Sequence, residues 1–364
     1  MRAIVLDKIA SVTRACGLKR EVRLSDEIPC DEGVVVAVRV LHDKSTYNQL
    51  ELPSGRMAQV KRGDVIAGAL GHRQALFGYA GHLPETLAPG DTIHLLNLGG
   101  VLGICDSVNP DLGPPFSCEV LGTVLRFPFL GERVGEPARI GDGPLDLAAP
   151  IDARGVPVVA LVGSCMNAGK TAAACALVRE LTHAGLQVDG AKTTGVSLRR
   201  DVLAMEDAGA RRTAIFTDLG VVATTEKNAA AVTRTLITRL TAAPAPDVLV
   251  VELGDGLLGA YGVDAILADA EVRAVLDAVV LAANDPVAAW GGTEILRRDY
   301  GIEPVAVTGP ATDNLVGTRL IEARLGVPAV NARSDGERLA AVVREALARR
   351  AKVPPSSPVE VEER

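Results

Sequence analysis

The residues best placed to do chemistry lie in one stretch, VVALVGSCMNAGKTAAACALVREL, from Val158 to Leu181. An apolar run ends at Gly163, a short turn follows, and Gly169-Lys170-Thr171 opens an alanine-rich helical pattern. A strand-to-helix turn of small residues lets successive backbone N–H groups point at one anion. The helix N-terminus adds the positive end of its dipole at the same spot. In that geometry Lys170 reaches the β- and γ-phosphates of a nucleotide, and Thr171 offers its hydroxyl to Mg2+. Gly163, Ser164, Asn167, Ala168, Gly169, Lys170 and Thr171 are therefore the expected nucleotide-binding residues. The usual loop has glycine where Ser164 stands. Serine is small enough for the tight turn, and Gly163 beside it can take the unusual dihedrals.

Such a loop needs a sheet beneath it, and the pattern after residue 157 supplies one. Strand-like apolar runs at 157–163, 187–192, 247–252, 278–283 and 303–308 alternate with helical periods at 170–184, 226–240, 291–298, 313–325 and 335–350. That alternation predicts a mostly parallel sheet flanked by helices over 157–350. Residues 1–145 differ: glycines are dense, no helical period lasts more than about two turns, and GVVVAVRVL (33–41) is a strand candidate. Two segments, VKRGDVIAGALG (60–71) and LAPGDTIHLLNLGG (87–100), each set Gly-Asp before a short apolar run. They predict two related hairpins in a smaller β-rich barrel or sandwich. A Gly/Pro/Asp-rich linker occupies 146–156, and 351–364 reads as a disordered Pro/Ser/Glu tail.

Ligands of open parallel sheets bind at the carboxyl edge, so polar residues ending the later strands are further candidates. Lys192 ends an apolar strand before Thr-Thr-Gly. Glu252 ends a buried run, where an unpaired carboxylate is costly and a metal or donor is expected beside it. Asp201 is either a Mg2+ ligand or the cap of the helix beginning DVLAMEDAG. Asn284, after VVLAA, is placed to read the base. Thr308, Asp313 and Asn314 near the same edge are base, substrate, turn or cap residues. No Asn-Lys-x-Asp guanine motif is present, which favours ATP over GTP.

The loop GSCMNAGKT resembles that of dethiobiotin synthetase, where glycine and a small hydroxyl residue precede Gly-Lys-Thr by the same distance. The strand end VDGAKTTGVSLRRD (188–201) is similar to that family's second strand, and DVLVVELGDGLLG (247–259) to its VEGAGG strand end. The resemblance implies that Lys170 and Lys192 neutralise the phosphates and the developing charge. It implies that Thr171, Asp201 and Glu252 hold Mg2+, and that Gly254, Asp255 and Gly256 shape the substrate side. It covers roughly residues 157–310 and departs from the family at two places. Thr193 replaces the proline after the lysine, and Asp255 puts a carboxylate where the family has glycine. The segment MEDAGARRTAIFTDLGVVATT (205–225) also resembles phosphate-loop proteins that carry DAGA followed by a strand.

The remaining composition bounds the function. A net charge of −7 argues against a broad nucleic-acid footprint, and no apolar run approaches the roughly 18 residues a membrane helix needs. Six cysteines without CxxC pairs, and an N-terminus without a secretory pattern, fit a reduced cytoplasmic protein. The resemblance implies an Mg2+- and ATP-dependent, ligase-like enzyme that activates a small carboxylate or carbamate for C–N bond formation. A small-molecule kinase would use the same site. A nucleotide-dependent switch or chaperone, with the β-rich half binding a partner, is the third reading. A homodimer across the nucleotide edge is compatible with all three.

Overall fold

The computed structural model describes residues 1–128, 134–141, 143 and 145–351; the Pro/Ser/Glu tail beyond Ala351 lies outside the described residues. In the amino-terminal half, five strands pair in a ring. Val35–Val40 joins Val65–Leu70, which joins Val101–Val108, then Thr92–Leu95, then Phe116–Arg126, which returns to Val35–Val40. Of the two expected forms, barrel or sandwich, the chain thus builds the barrel. Closure removes the free edges that a five-stranded sheet would otherwise expose.

The two look-alike segments do take the same turn. The Gly63 N–H donates to the Val40 carbonyl and the Gly90 N–H to the Val120 carbonyl, each at 2.9 Å. The Asp64 carboxylate accepts from the Lys61 amide (2.6 Å), as Asp91 does from Ala88 (2.8 Å). Only the second opens a hairpin, Thr92–Leu95 against Val101–Val108. The first leads into Val65–Leu70, whose partners are Val35–Val40 and, in parallel, Val101–Val108. Asx turns are local, but the strand partner is chosen by barrel closure.

The carboxyl-terminal half is a six-stranded, all-parallel sheet. Its order is Thr213–Ile215, Val188–Lys192, Val248–Glu252, Val158–Gly163, Leu276–Ala282, Ala306–Thr308. Alternate residues of the central strand face opposite cores: Val159 and Leu161 pack with the helices Lys170–His183 and Gly336–Ala351. Val158, Ala160 and Val162 pack toward Ala229–Thr241, Pro286–Tyr300 and Leu315–Leu325. Burial on both faces explains why these strands are continuous apolar runs.

Helix boundaries shift where capping was not recognised. The helix expected at 291–298 begins at Pro286, because the Asp285 side chain accepts from the amides of Val287 (2.8 Å) and Ala288 (2.9 Å) and proline suits the first helical position. Two short helices, Val263–Ala268 and Ala270–Val275, were not expected from the periodicity.

The halves are joined by buried polar contacts as well as by chain. Glu51, fully buried, accepts the backbone amides of Arg199 (2.8 Å) and Arg200 (2.7 Å) at the start of the helix Arg200–Asp207. The Asn97 amide donates to the Ser197 carbonyl at 2.7 Å, and Val222 is part of the barrel's own core. A carboxylate from the amino-terminal half, on the separate two-stranded ribbon Gln49–Glu51 and Met57–Gln59, therefore caps a helix of the parallel-sheet unit, where the helix dipole favours negative charge.

Candidate active site

The loop after Val158–Gly163 folds as its residue types require. Asn167 (φ 60°) and Gly169 (φ 96°) take left-handed conformations before Lys170 starts the helix. Ser164 donates its amide to the Ala282 carbonyl at 2.9 Å, and its buried hydroxyl has no partner. Ala168 is fully buried beneath the turn. Gly163 is needed for close approach: a Cβ there would lie 2.7 Å from Lys170 Nζ, because the lysine side chain folds back over it. The displaced glycine thus clears the lysine's path.

Lys170 is 5% exposed and donates to the carbonyls of Cys165 (2.8 Å) and Asp255. Burial lowers its pKa, partly offset by Glu252. The Thr171 hydroxyl donates to Glu252 Oε1 at 3.0 Å, while Oε2 of that glutamate, buried at 2% exposure, has no partner. Burial and then the charge of Asp201 push the Glu252 pKa up, against Lys192 and Lys170.

Strand register places Lys192 directly beside Glu252. Lys192 is ion-paired to Asp201, which lies in the first turn of Arg200–Asp207 and also meets Arg200 at 3.6 Å. Burial opposes both charges, but the pair outweighs it, so the Lys192 pKa is raised and that of Asp201 lowered. The helix is not capped by its own side chains; Asp201 serves Lys192 and Glu51 supplies the cap.

Thr171 and Glu252 fit Mg2+. The ion takes hard oxygen donors and commonly rests on one or two protein ligands plus phosphate oxygens and water, and the orphaned Glu252 Oε2 is such a donor. Among the described residues no group of three or more His, Cys, Asp or Glu side chains could hold a metal by itself. A phosphate-borne cation is the arrangement these residues suit.

Lys170, Thr171, Lys192, Asp201, Glu252, Gly254 and Asp255 line one cleft of about 470 Å³ together with Asn167 and Gly169. Its opposite wall comes from the barrel half: Tyr47, Arg73, Phe77, Asn97, Leu98 and Leu112. Those residues were missed in the sequence, where nothing in their spacing marks them. Asn284 is exposed, does not line this cleft, and donates to Cys165 Sγ of the loop at 2.9 Å. Of the other edge candidates, Thr308 accepts the Ala332 amide (3.1 Å), Asp313 accepts from Asn331 (2.8 Å), and Asn314 caps the helix Leu315–Leu325. These take the turn and cap roles.

Asp255 stands out on the loop wall. It is buried with φ 72° and has no side-chain partner, and burial pushes its pKa up to about 6 against the pull of Lys170 and of the Ala260 amide.

Neither a family model nor a curated protein matches the chain. Solved structures with a similar course include a DUF1611 family protein from Anabaena variabilis, at 16% identity and a TM-score of 0.41 over 57% of this chain and 62% of that one. The signal recognition particle receptor FtsY from Elizabethkingia anophelis is similar at 16% identity and a TM-score of 0.37, over 54% of this chain and 68% of that one. The signal recognition particle 54 kDa protein from Aeropyrum pernix in complex with GDP is similar at 21% identity and a TM-score of 0.37, over 57% and 51%. The chain spans about three fifths of the length of the first of these. Its own parallel sheet, with the Gly163–Thr171 loop joining a central strand to a buried helix, gives the carboxyl-terminal half the fold of a P-loop NTPase.

Proposed function

We propose that the cleft binds Mg2+-ATP and passes the γ-phosphoryl group to a small carboxylate or carbamate, activating it for C–N bond formation. The observation that carries this reading is the position of the loop. Lys170, Thr171, Lys192 and Glu252 line one cleft together with residues of the amino-terminal half, which would contact a second small molecule beside the phosphates. The protein's part is positioning and charge neutralisation. The loop amides and the N-terminus of Lys170–His183 hold the phosphates. Lys170, released from the Cys165 and Asp255 carbonyls, turns to the β- and γ-oxygens. Lys192, kept protonated and oriented by Asp201, faces the charge that grows on the transferred group. Thr171 and Glu252 would hold Mg2+, which when bound would supply neutralisation of the phosphate charge.

The test is phosphate release from ATP and from GTP with Mg2+, for wild type and Lys170→Ala, alone and with a dialysable metabolite fraction. Release that needs ATP, the fraction and Lys170, with a ligated product identified by mass spectrometry, is the expected result. A stable phosphorylated small molecule would replace ligation by kinase chemistry. ADP and phosphate without any modified compound would overturn both. A second reading, a nucleotide-dependent switch, draws on the contacts of Glu51 with Arg199 and Arg200, which connect the amino-terminal half to the helix bearing Asp201. Phosphate release indifferent to the metabolite fraction would favour it.

A further inference from the structure

On the barrel wall of the cleft, Arg73 sits in the short hairpin strand Arg73–Gln74 and is only 3% exposed. Its Nη1 donates to the Tyr47 hydroxyl (3.1 Å) and to the Leu96 carbonyl. Its Nε is buried with no partner. The guanidinium lies 5.6 Å from the Tyr47 ring centroid and 5.9 Å from that of Tyr79. Among the described residues it forms no ion pair with any carboxylate; Lys170 shares this, whereas Lys192, Arg211 and Arg234 each have one.

A buried cation served only by neutral acceptors and ring faces is left short of its counter-charge. The surroundings show that the position is built. Gly78 leaves the space that Nη2 fills, since a Cβ there would lie 2.4 Å from it. The next residue along the hairpin, Gln74, is held by its amide to the Tyr261 hydroxyl at 3.1 Å, tying Arg73 to the loop wall. Only four non-glycine residues among those described have positive φ, and three of them, Tyr47, Asn167 and Asp255, line this cleft. Backbone held in a sparsely populated region gathers at ligand sites.

We propose that Arg73, held by Tyr47, is the anchor for a carboxylate of the substrate. The ligand is a small organic acid with two polar ends. One carboxylate pairs with the guanidinium fork; an aliphatic middle lies against Phe77, Leu98 and Leu112; the other end faces Lys170 and Lys192. Asp255 does not compete for Arg73: the cations whose fields act on it are Lys170 and Lys192. Arg73 is a specificity residue, and its role rests on the nucleotide reading of the loop.

The experiment is calorimetric titration of glutarate and of adipate into the full chain carrying Mg2+ and a non-hydrolysable ATP analogue. Wild type, Arg73→Met, Arg73→Lys and Tyr47→Phe are compared, with analogue affinity measured separately. At least one diacid is expected to bind wild type. Its affinity falls about tenfold or more in Arg73→Met, by less in Arg73→Lys because an ammonium lacks the planar fork, and a few-fold in Tyr47→Phe. Analogue affinity stays unchanged in all four. Should Arg73→Met not fold, the lysine and phenylalanine variants carry the same comparison. Equal diacid affinity in wild type and variants, or no diacid binding to a wild type that binds the analogue, would overturn the anchor. Diacid binding that depends on Arg73 in a protein that binds no analogue would instead overturn the nucleotide reading and leave the anchor standing.

Discussion

The two walls of the cleft handle positive charge in opposite ways. On the loop wall, Lys170 rests on backbone carbonyls beside Glu252, and Lys192 is ion-paired to Asp201. Those cations are satisfied in the free protein, and an incoming phosphate must redirect them. On the barrel-half wall, Arg73 meets only neutral oxygens, those of Tyr47, Leu96 and Tyr261, and two aromatic rings, and has no anionic partner among the described residues. The difference separates two tasks. A loop that handles a highly charged nucleotide has internal counter-charges that hold it together when empty. A wall that selects a small anion keeps its charge in reserve.

The contrast is tested most strongly at Lys170. Lys170→Ala is expected to weaken triphosphate binding by about one to two orders of magnitude, from the loss of charge-assisted bonds worth about 1.5–3 kcal/mol. Titration with a fluorescent ATP analogue reads this directly, and diacid binding at the barrel wall should change far less. Glu51→Ala comes next. It strips the amides of Arg199 and Arg200 of their buried acceptor, at a cost of about 3 kcal/mol, and lowers the Tm by several degrees. Because that helix carries Asp201, nucleotide affinity should fall as well; a variant with normal stability would show that the two walls are independent.

Asp255→Asn probes a buried carboxylate on the loop wall that forms no ion pair among the described residues. A folded pKa of about 6, above the ordinary 3.8, means the folded protein favours the protonated acid. The stability this group contributes is full below about pH 3.8 and is lost as pH rises through about 6. Asparagine removes that loss and tolerates the left-handed backbone. The variant should be more stable than wild type by about 2 kcal/mol above pH 7, with the gap closing toward pH 4 in denaturant titrations. A gap independent of pH would mean that Asp255 ionises freely. The smallest effect is expected at Gly163→Ala, whose methyl would push the Lys170 side chain aside along its length, from Cγ to Nζ. A few-fold loss of nucleotide affinity with near-normal stability is the expected outcome of the same fluorescence titration.

Much of the loop wall was legible because its parts are local. The strand ending at Gly163, the turn and the helix from Lys170 lie within one short segment, and the apolar runs of the parallel strands mark their burial on two faces. Some local signals carry two meanings. Of the pair Asn284-Asp285 at a strand end, Asp285 caps the helix Pro286–Tyr300, while Asn284 donates to Cys165 Sγ of the phosphate loop. A cap and a ligand-reading residue share the same polar, short side chains, so spacing does not separate them. The twin Gly-Asp turns were legible in the same way, but which strands they joined was not.

By itself, then, the sequence determined the phosphate loop, the parallel-sheet half behind it and the β-rich character of the rest. Each depends on interactions between residues a few positions apart or on a repeating pattern of burial. Only the tertiary structure decided that the β-rich strands close into a barrel, that Asp201 neutralises Lys192, and that Glu51 caps a helix 149 residues away. It also decided that Arg73 and Lys170, from different halves, face one cleft. Such pairings are fixed by strand order and by the packing of one half on the other, and composition and spacing carry no trace of either.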